Sequence, residues 1–338
     1  MEICTIRDVA RRAGVAVSTV SRVLNGKPDV SEATRRRVLD VVEECGFVQN
    51  GHARFLKQDQ SEFAMIIVRG RRSMFLSDAA EHMLAFAQGK KTPFIVKYID
   101  EEDDEFDTMR QCYAQKRAGG FVFLGSRLDE RSEAVRALGV PCVFATVDAS
   151  ARDFANASSV SIDDRAAARA MMDRLIAQGH ERVAIFGGCP EGDDPFTRRF
   201  QGAVDSLQAH GIAFTAEDAF RQVRFSLPGA YECAKAFFEA RRDVTAVFAM
   251  SDTIAAGVIR ALHDLGLRVP QDVSVSGFDG MEMARFYIPS IATVRQPVEA
   301  IARESVELLC SLMEGGDACH VTVDYELVDG ESIAQKAE

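Results

Sequence analysis

The stretch that follows residue 62 alternates short apolar runs with helix-length segments. The apolar runs are rich in Val, Ile and Phe and read FAMIIV, PFIVKYI, GGFVFLG, VPCVFATV, RVAIFGG, AVFAMSD and VSVSGFD. Segments such as DRAAARAMMDRLIAQGH and TIAAGVIRALHDLG separate them. Strands that alternate with helices form parallel sheets with helices on both faces. Because the runs outnumber the strands of one standard sheet, the sequence predicts an α/β body of two doubly wound lobes.

The first sixty residues follow a helical pattern instead. Thr5 and Asp8 form a candidate capping box at the start of a first helix. Gly14 can supply a turn before a second helix of about two turns, and Ser31 can cap a third helix that Gly46 ends. Three short helices with a glycine turn between the first two are typical of a helix-turn-helix. A plain three-helix bundle with a solvated polar face is the alternative.

The second helix has small polar residues on its outer face. They are Ser18, Thr19, Ser21, Arg22 and Asn25. A helix that reads DNA must approach base edges in a groove about 12 Å wide, and small side chains allow that approach. The pattern therefore favours binding in the DNA major groove.

Charge is distributed unevenly along the chain. The whole chain has a net charge of −11, yet residues 1–58 carry +3 and the remainder carries −14. A basic head on an acidic body is typical of a nucleic-acid module joined to another domain, although a chance excess of arginine is the alternative.

The eight cysteines include no C-x-x-C pair, and the start lacks a signal-peptide apolar core. No apolar run approaches the roughly 18 residues of a membrane span. We therefore expect reduced thiols and a cytoplasmic protein without membrane contact.

The head closely resembles the DNA-binding head of the lactose-repressor (LacI/GalR) family of bacterial transcription regulators. The resemblance lies in TIRDVARRAGVAVSTVSRVLNGKPDVSEATRRRVLDVVEECGF, and it continues in NGHARFLK, which is similar to the family's hinge helix. It implies a homodimer on a pseudo-palindromic operator in double-stranded DNA. It also implies that Leu56 wedges into the minor groove. The predicted DNA-binding residues are Thr5, Val17, Ser18, Thr19, Ser21, Arg22, Asn25, Ala53, Leu56 and Lys57.

The head departs from the family pattern at three positions. Ala16 stands where the family usually has a hydroxyl residue that caps the second helix. Gln49 stands where the hinge helix usually begins after a proline. Pro28 stands where some members place a basic phosphate contact. These departures concern operator affinity and sequence rather than the class of protein.

The resemblance extends to the body through VPQDVSVSGFDGMEMARFYIPSIATVRQP. It implies a periplasmic-binding-protein-like effector domain of two Rossmann-like lobes. The predicted domains are an all-α helix-turn-helix head at 1–48, a hinge helix and linker at 49–61, and an effector-binding and dimerisation domain at 62–338. Within that domain, lobe 1 is expected at about 62–160 and 291–320, and lobe 2 at about 161–290 and 321–332.

Candidate effector contacts come from two arguments. Ligands of open α/β sheets bind beyond the carboxyl ends of strands, which points to Met74, Phe75, Ser126, Ser251 and Asp279. The resemblance implies an effector arginine in an R-x-x-G pattern and an effector aspartate in a G-[YF]-D motif, with weaker matches elsewhere. The predicted effector-binding residues are Arg199, Asp279, Ser251, Phe225, Phe75, Met74, Asp164 and Ser126. A turn or helix-cap aspartate and a helix-surface ion pair are the alternatives for Asp279 and Arg199.

The predicted effector is a sugar or sugar derivative. Carboxylate and guanidinium groups each make two hydrogen bonds to adjacent hydroxyls, and aromatic faces cover the apolar side of a sugar. Four arginines after the first strands, Arg69, Arg71, Arg72 and Arg127, raise the alternative of an anionic sugar phosphate or sugar acid. A purine or other metabolite remains a second alternative.

Enzyme signatures are missing from the sequence. There is no G-x-G-x-x-G at a strand–helix junction, no G-x-x-x-x-G-K-[ST] and no G-x-S-x-G, and the six histidines are scattered. The acidic run DEEDDEF is more typical of a solvated loop than of a metal site. We therefore predict no enzyme activity, metal or cofactor.

A sugar-binding transport protein or an α/β enzyme with a fortuitous helical bundle is the alternative class. The prediction is a repressor of carbohydrate-metabolism genes that is controlled by a small molecule bound between two lobes.

Overall fold

The computed structural model describes residues 6–24, 31–44, 63–71, 73–116, 118–192 and 194–336. The chain divides into two compact units, residues 1–61 and residues 62–338. Each unit is described by itself below, with elements numbered in chain order. The hinge segment 49–61 lies outside the described residues.

The first unit is a bundle of three short helices. They are α1 (Ile6–Ala13), α2 (Val17–Leu24) and α3 (Glu32–Glu44). Their buried apolar side chains are Val9, Ala10, Ala13, Val20, Val23 and Val38. The sharp turn between α1 and α2 places Gly14 at a φ of +64°, a conformation that glycine adopts without steric strain.

The second and third helices of the head begin differently. The hydroxyl of Ser31 accepts a hydrogen bond from the Thr34 amide at 3.3 Å, so it caps α3 as predicted. Helix α2 begins directly after Ala16, whose carbonyl accepts from the Thr19 amide at 2.9 Å. Ala16 has no side-chain oxygen, so it cannot supply the usual side-chain N-cap.

Lobe 1 is built on a parallel sheet. Its strands are β1 (Phe63–Arg69), β2 (Phe94–Ile99), β3 (Ala118–Leu124), β4 (Cys142–Ala145), β5 (Ala157–Ser161) and β11 (His320–Thr322), in the spatial order β11-β5-β4-β3-β1-β2. Its α-helices are α4 (Met74–Ala87), α5 (Glu105–Lys116), α6 (Glu133–Leu138) and α13 (Val298–Met313). Short 3₁₀ turns lie at Glu130–Ser132 and Ser150–Arg152.

Lobe 2 repeats this architecture. Its strands are β6 (Val183–Gly187), β7 (Phe220–Gln222), β8 (Ala246–Ala249), β9 (Ser274–Asp279), β10 (Ala292–Arg295) and β12 (Glu326–Val328), in the spatial order β12-β10-β9-β8-β6-β7. The edge strand β12 runs antiparallel to β10, and the other neighbours are parallel. Its helices are α7 (Asp164–Ala177), α8 (Pro195–Ala209), α9 (Ala216–Ala219), α10 (Leu227–Ala240), α11 (Asp252–Asp264) and α12 (Glu282–Phe286).

Each sheet is covered by helices on both faces. Lobe 1 has one apolar cluster around Phe106 and Phe123 and another around Ile66 and Met83, on opposite faces of its sheet. Lobe 2 likewise has two clusters. Central strands of such sheets are buried on both faces, which explains their continuous apolar runs. The predicted fold class, a helical head with two Rossmann-like lobes, is confirmed.

The predicted boundary between the lobes is wrong at two points. Residues 292–295 were expected in lobe 1, but β10 pairs with β9 in the sheet of lobe 2, with Arg295 opposite Asp279. The chain enters lobe 1 only at 296–297, where Pro297 precedes α13. Lobe 1 then extends to Thr322, because β11 pairs with β5. An apolar run does not reveal which sheet its backbone hydrogen bonds will join.

Candidate functional site

A cavity lies between the two lobes, beyond the carboxyl ends of their strands, where open α/β sheets bind ligands. The inner cavity has a volume of about 60 Å³, and a wider compartment of about 790 Å³ adjoins it. Lobe 1 lines the inner cavity with Arg69, Ser73, Phe75, Leu76, Gly125, Ser126, Arg127 and Thr146, and lobe 2 with Asp194, Pro195, Phe196, Arg199, Phe225 and Asp279.

Arg199 projects from α8 and is 4% exposed. Its Nε donates to Asp164 Oδ1 at 2.7 Å and its Nη1 donates to the Met250 carbonyl at 2.8 Å. The same Nη1 lies 3.5 Å from Asp279 Oδ1. The guanidinium also lies 3.7 Å from the centre of the Phe278 ring, a cation–π contact. These contacts fix one orientation of the guanidinium at the cavity.

Gly202 explains why an R-x-x-G pattern suits this position. A Cβ at Gly202 would lie 2.0 Å from the backbone oxygen of Arg165 in α7. Glycine therefore lets α7 and α8 approach closely. This approach allows Arg199 on α8 to reach Asp164, the first residue of α7.

Asp279 is the last residue of β9 and has a φ of +106°, a conformation that non-glycine residues rarely adopt. Its Oδ1 accepts a hydrogen bond from Gln296 Nε2 at 2.8 Å. Burial raises the pKa of Asp279 to about 6, although Arg199 and Gln296 favour its ionised form. Burial also raises the pKa of Asp164, against the effect of Arg199. Such strain and perturbed ionisation cluster at functional sites.

The lobe 1 wall is organised by Glu105, a buried carboxylate on α5. Glu105 Oε1 accepts from the Ser126 hydroxyl and from the Arg127 amide, both at 3.0 Å. Its Oε2 lies 3.3 Å from Arg69 Nε. Arg69 also donates to the carbonyl of Glu101. The charge of Arg69 is therefore balanced within lobe 1.

Aromatic rings supply the apolar surface of the cavity. The rings of Phe196 and Phe225 lie 4.3 Å apart and face both compartments. Phe75, near the start of α4, contributes from lobe 1 and is buried. The inner cavity thus combines aromatic faces with hydroxyl, guanidinium and carboxylate groups.

Ion pairs connect the two lobes around the cavity. Arg127 Nε of lobe 1 lies 3.6 Å from Asp194 Oδ2 of lobe 2, and Asp194 Oδ1 caps α8 by accepting from the Thr197 amide at 2.9 Å. Arg198 Nη1 donates to Asp148 Oδ2 at 2.9 Å, and the exposed Arg224 pairs with Glu102. The structure therefore shows the lobes in a closed, ion-paired arrangement.

The predicted effector residues fall into two groups. Arg199, Asp279, Phe225, Phe75 and Ser126 line the inner cavity. The remaining residues do not line it and have other environments: Asp164 lies behind Arg199, Ser251 caps α11 by accepting from the Ile254 amide, and Met74 is 47% exposed. Position after a strand was too coarse a criterion, because the first side chain of the next helix often serves as its cap.

Sequence reasoning missed several lining residues, of which Asp194 and Phe196 are the most informative. Asp194 and Phe196 flank Pro195 at the start of α8, and Phe196 contributes half of the aromatic pair. The signal was available, because an aspartate followed by proline is a typical helix start. Recognising that start would have placed Asp194 and Phe196 at the same end of lobe 2 as Arg199.

The structure describes part of the predicted DNA-binding set. Arg22 on α2 is exposed, Thr19 is half-buried, and Val17 is half-buried against the core of the head. Ser18 and Ser21 lie on α2, but their side chains are outside the described structure, as are Thr5, Asn25, Ala53, Leu56 and Lys57. The DNA-binding role of these residues stays a prediction.

The described part of the chain has neither a metal site nor a membrane-spanning helix. No group of His, Cys, Asp or Glu side chains there is arranged to hold a metal ion. None of the described helices has the length and apolar character needed to cross a bilayer.

Comparisons with known proteins agree in both units. Residues 5–50 match the family described as bacterial regulatory proteins, lacI family, and residues 172–333 match the periplasmic binding protein-like domain. The regulator MalR of Clostridium butyricum is 34% identical over 334 residues, covering 97% of this chain and 98% of MalR.

Solved structures give the same result. The lac repressor dimer bound to operator and the anti-inducer ONPF has a TM-score of 0.75 and 25% identity, covering 98% of this chain and 100% of that one. The complex of the regulator CelR with cellobiose has a TM-score of 0.69 and 26% identity, covering 97% and 99%.

Proposed function

Because this chain belongs to the LacI family of bacterial regulatory proteins, and is thus a DNA-binding transcription regulator and not an enzyme, we propose that it represses carbohydrate-metabolism genes under the control of a neutral sugar. The sugar binds in the cavity between the lobes. Arg199 and Asp279 contact its hydroxyl groups, and the Phe196–Phe225 pair and Phe75 cover its apolar faces. The observation that carries this proposal is the charge balance of the cavity walls.

Each arginine that lines the inner cavity already faces a carboxylate. Arg69 is paired with Glu105 at 3.3 Å, and Arg127 is paired with Asp194 at 3.6 Å. Arg199 is paired with Asp164 at 2.7 Å. A sugar phosphate would place its negative charge beside these carboxylates without an unbalanced cation to attract it. The charge balance favours a neutral ligand over the anionic one that the arginine count suggested.

The cavity chemistry fits a polyol. Guanidinium groups donate several hydrogen bonds in one plane and carboxylates accept several, which matches pairs of adjacent hydroxyls. Ser126 and Thr146 add hydroxyl groups to the lining. Ligand pockets typically have volumes of about 300–1,000 Å³, and the adjoining compartment of about 790 Å³ falls in this range.

We further propose a cytoplasmic homodimer that binds a pseudo-palindromic operator. The lac repressor structure named above is a dimer on its operator. One DNA-binding module buries only about 600–1,000 Å² of protein surface, so two heads are needed for tight, specific binding. Arg22 and Thr19 of α2 approach the bases, and Leu56 of the hinge wedges into the minor groove.

Control follows from linkage between the two ligands. A sugar that prefers one arrangement of the lobes changes operator affinity by some factor, and operator changes sugar affinity by the same factor. The closed arrangement held by Arg127–Asp194 and Arg198–Asp148 is one of the two states that such control needs.

A thermal-shift panel on the full chain tests the proposal. The panel contains glucose, maltose, cellobiose, glucose 6-phosphate and adenosine. We expect a neutral sugar to stabilise the protein by about 2.7 kcal/mol at 100 times its dissociation constant. Phe225→Ala, which removes half of the aromatic pair, should weaken that effect, whereas Phe286→Ala, on a side chain that is 70% exposed and outside the cavity, should not. Preferential stabilisation by glucose 6-phosphate or adenosine would contradict the proposal.

A further inference from the structure

Asp252 is a buried carboxyl group that lies outside the cavity. It is the first residue of α11, directly after β8, and its relative exposure is 0%. A helix cap does not explain it, because the neighbouring Ser251 already caps α11 through the Ile254 amide at 3.1 Å. A buried carboxyl group is unfavourable unless hydrogen bonds compensate its loss of water.

The hydrogen bonds of Asp252 lead to the turn that follows β9. Its Oδ2 accepts from the Met281 amide at 2.7 Å, and its Oδ1 accepts from the Thr293 hydroxyl at 2.6 Å. The Thr293 oxygen in turn accepts from the Gly280 amide at 3.2 Å. Two successive backbone amides of the turn therefore donate hydrogen bonds: Gly280 to Thr293 and Met281 to Asp252.

The sequence leaves space for this carboxyl group. A Cβ at Gly277, in β9, would lie 2.2 Å from Asp252 Oδ1. Glycine at position 277 therefore allows Asp252 to lie against the sheet and reach Thr293 on β10. The close approach indicates a built arrangement rather than a carboxyl group buried by chance.

The turn itself has an unusual backbone. Asp279 and Gly280 have φ values of +106° and +70°, so two successive residues are in the left-handed region. Asp279 adopts this conformation despite its side chain, and such strain persists only when surrounding contacts hold it. The Asp279 carbonyl accepts from the Gln296 amide at 3.1 Å, which adds a third contact to those made through Asp252 and Thr293.

The turn joins two functional surfaces. At one end, the Asp279 side chain lines the cavity beside Arg199. At the other end, Met281 packs against the apolar core of lobe 1, although the turn belongs to the sheet of lobe 2. Gln296, which binds Asp279, lies where the chain crosses between the lobes.

We propose that Asp252 is a positioning residue, which holds the 279–281 turn so that Asp279 points into the cavity and Met281 lies against lobe 1. The part of this inference that concerns the sugar rests on the proposed function. Asp252 does not touch the ligand. It acts through the turn, and it links the occupied cavity to the contact between the lobes.

Burial and the nearby Asp279 raise the pKa of Asp252 to about 8. Asparagine matches the size and shape of this side chain without its charge. The amide oxygen of asparagine can accept from Met281 and its NH₂ can donate to the Thr293 oxygen. Asparagine is thus a rescuing substitution, whereas alanine removes both hydrogen bonds.

Hydrogen exchange of the full-length chain tests the positioning role without any ligand. Asp252→Ala should accelerate amide exchange at Gly280 and Met281 at least tenfold, and Asp252→Asn should keep it within about threefold of the native rate. Ser276→Ala is the matched control, because Ser276 is equally buried on β9 and bonds the Val247 carbonyl. This variant should leave exchange in the turn unchanged. Native exchange at Gly280 and Met281 in Asp252→Ala would overturn the proposal.

Titration of each variant with maltose and cellobiose tests the consequence for binding. Asp252→Ala should weaken binding of the sugar that the native chain prefers at least tenfold and reduce its effect on operator affinity, and Asp252→Asn should retain both. If no neutral sugar of the thermal-shift panel binds the native chain, the proposed function fails, while the exchange result still decides the role of Asp252. If Asp252→Ala does not fold, Thr293→Val, which removes the hydroxyl between Asp252 and Gly280, serves in its place. Native exchange at Gly280 in that variant would overturn the proposal.

Discussion

Replacing Arg199 by methionine removes a buried cation from between two buried carboxylates. The Arg199 and Asp164 side chains are only 5% and 4% exposed, and their atoms are 2.7 Å apart. Asp279, at 3.5 Å, is 9% exposed. After the substitution, both buried carboxylates lose their cation, and the Met250 carbonyl also loses its donor. Methionine keeps much of the apolar stem, so the effect reports the lost charge and hydrogen bonds.

The expected loss follows from the burial of the partners. Removing one member of a buried ion pair typically costs about 3–5 kcal/mol, because an uncompensated charge remains. For a domain of this size 1 kcal/mol corresponds to about 2–3 °C, so the melting temperature should fall by roughly 6–15 °C. Sugar binding should be lost as well, because Arg199 lines the cavity.

An exposed ion pair between the same two helices provides the control. Arg165 on α7 and Asp205 on α8 approach to 2.6 Å, but their side chains are 56% and 29% exposed. Arg165→Ala should cost much less stability than Arg199→Met, since surface pairs are screened by water. Thermal and urea unfolding of both variants, followed by circular dichroism, measure the difference.

The two variants refute the reasoning if they lose similar stability, or if Arg199→Met loses less than about 1 kcal/mol. A second check neutralises the partners. Adding Asp164→Asn and Asp279→Asn to Arg199→Met should recover part of the lost stability, because no buried charge then lacks a partner.

Further substitutions test the helix contact, the buried carboxyl group and the head. Gly202→Ala should lower the melting temperature and weaken sugar binding, because its Cβ would force α7 and α8 apart; native values for both would contradict this explanation. The pKa of Asp252 is about 8 when folded against 3.8 in its ordinary range, so the folded state binds the extra proton between these values. The free energy of unfolding should therefore fall as pH rises from 6 to 8, by at most about 1.4 kcal/mol per unit, and urea titrations of Asp252→Asn should show a shallower slope. Arg22→Ala should weaken operator binding several-fold or more in fluorescence anisotropy and leave sugar affinity unchanged; unchanged operator binding would count against the placement of α2.

The sequence predicted strands that are rich in apolar residues. It did not predict strand β5, because that strand is rich in serine. Strand β5 is fully buried, yet it reads Ala-Ser-Ser-Val-Ser. Its hydroxyl groups are satisfied by partners remote in sequence: Ser158 accepts from the Cys319 amide, and Ser159 binds the Ala149 amide and His320. Without those partners a serine-rich run is typical of a loop, so local pattern alone could not identify this strand.

Residues that line the cavity could be predicted where a motif fixes the direction in which a side chain points. Arg199 sits one helical turn before a glycine that two helices need for close contact, and Asp279 ends a buried strand. Asp164 and Ser251, also predicted to contact the ligand, bind Arg199 and a helix start in this structure. Which carboxylate faces a ligand and which faces its neighbour depends on side-chain packing, which spacing does not encode.

The balanced charges of the cavity have a consequence for how the two ligands respond to ionic strength. A neutral sugar that enters a cavity with paired charges displaces water but few ions. Operator binding, in contrast, releases counterions from DNA and weakens steeply with salt. Salt concentration therefore sets how tightly the heads hold DNA, while the sugar concentration at which the protein responds changes much less.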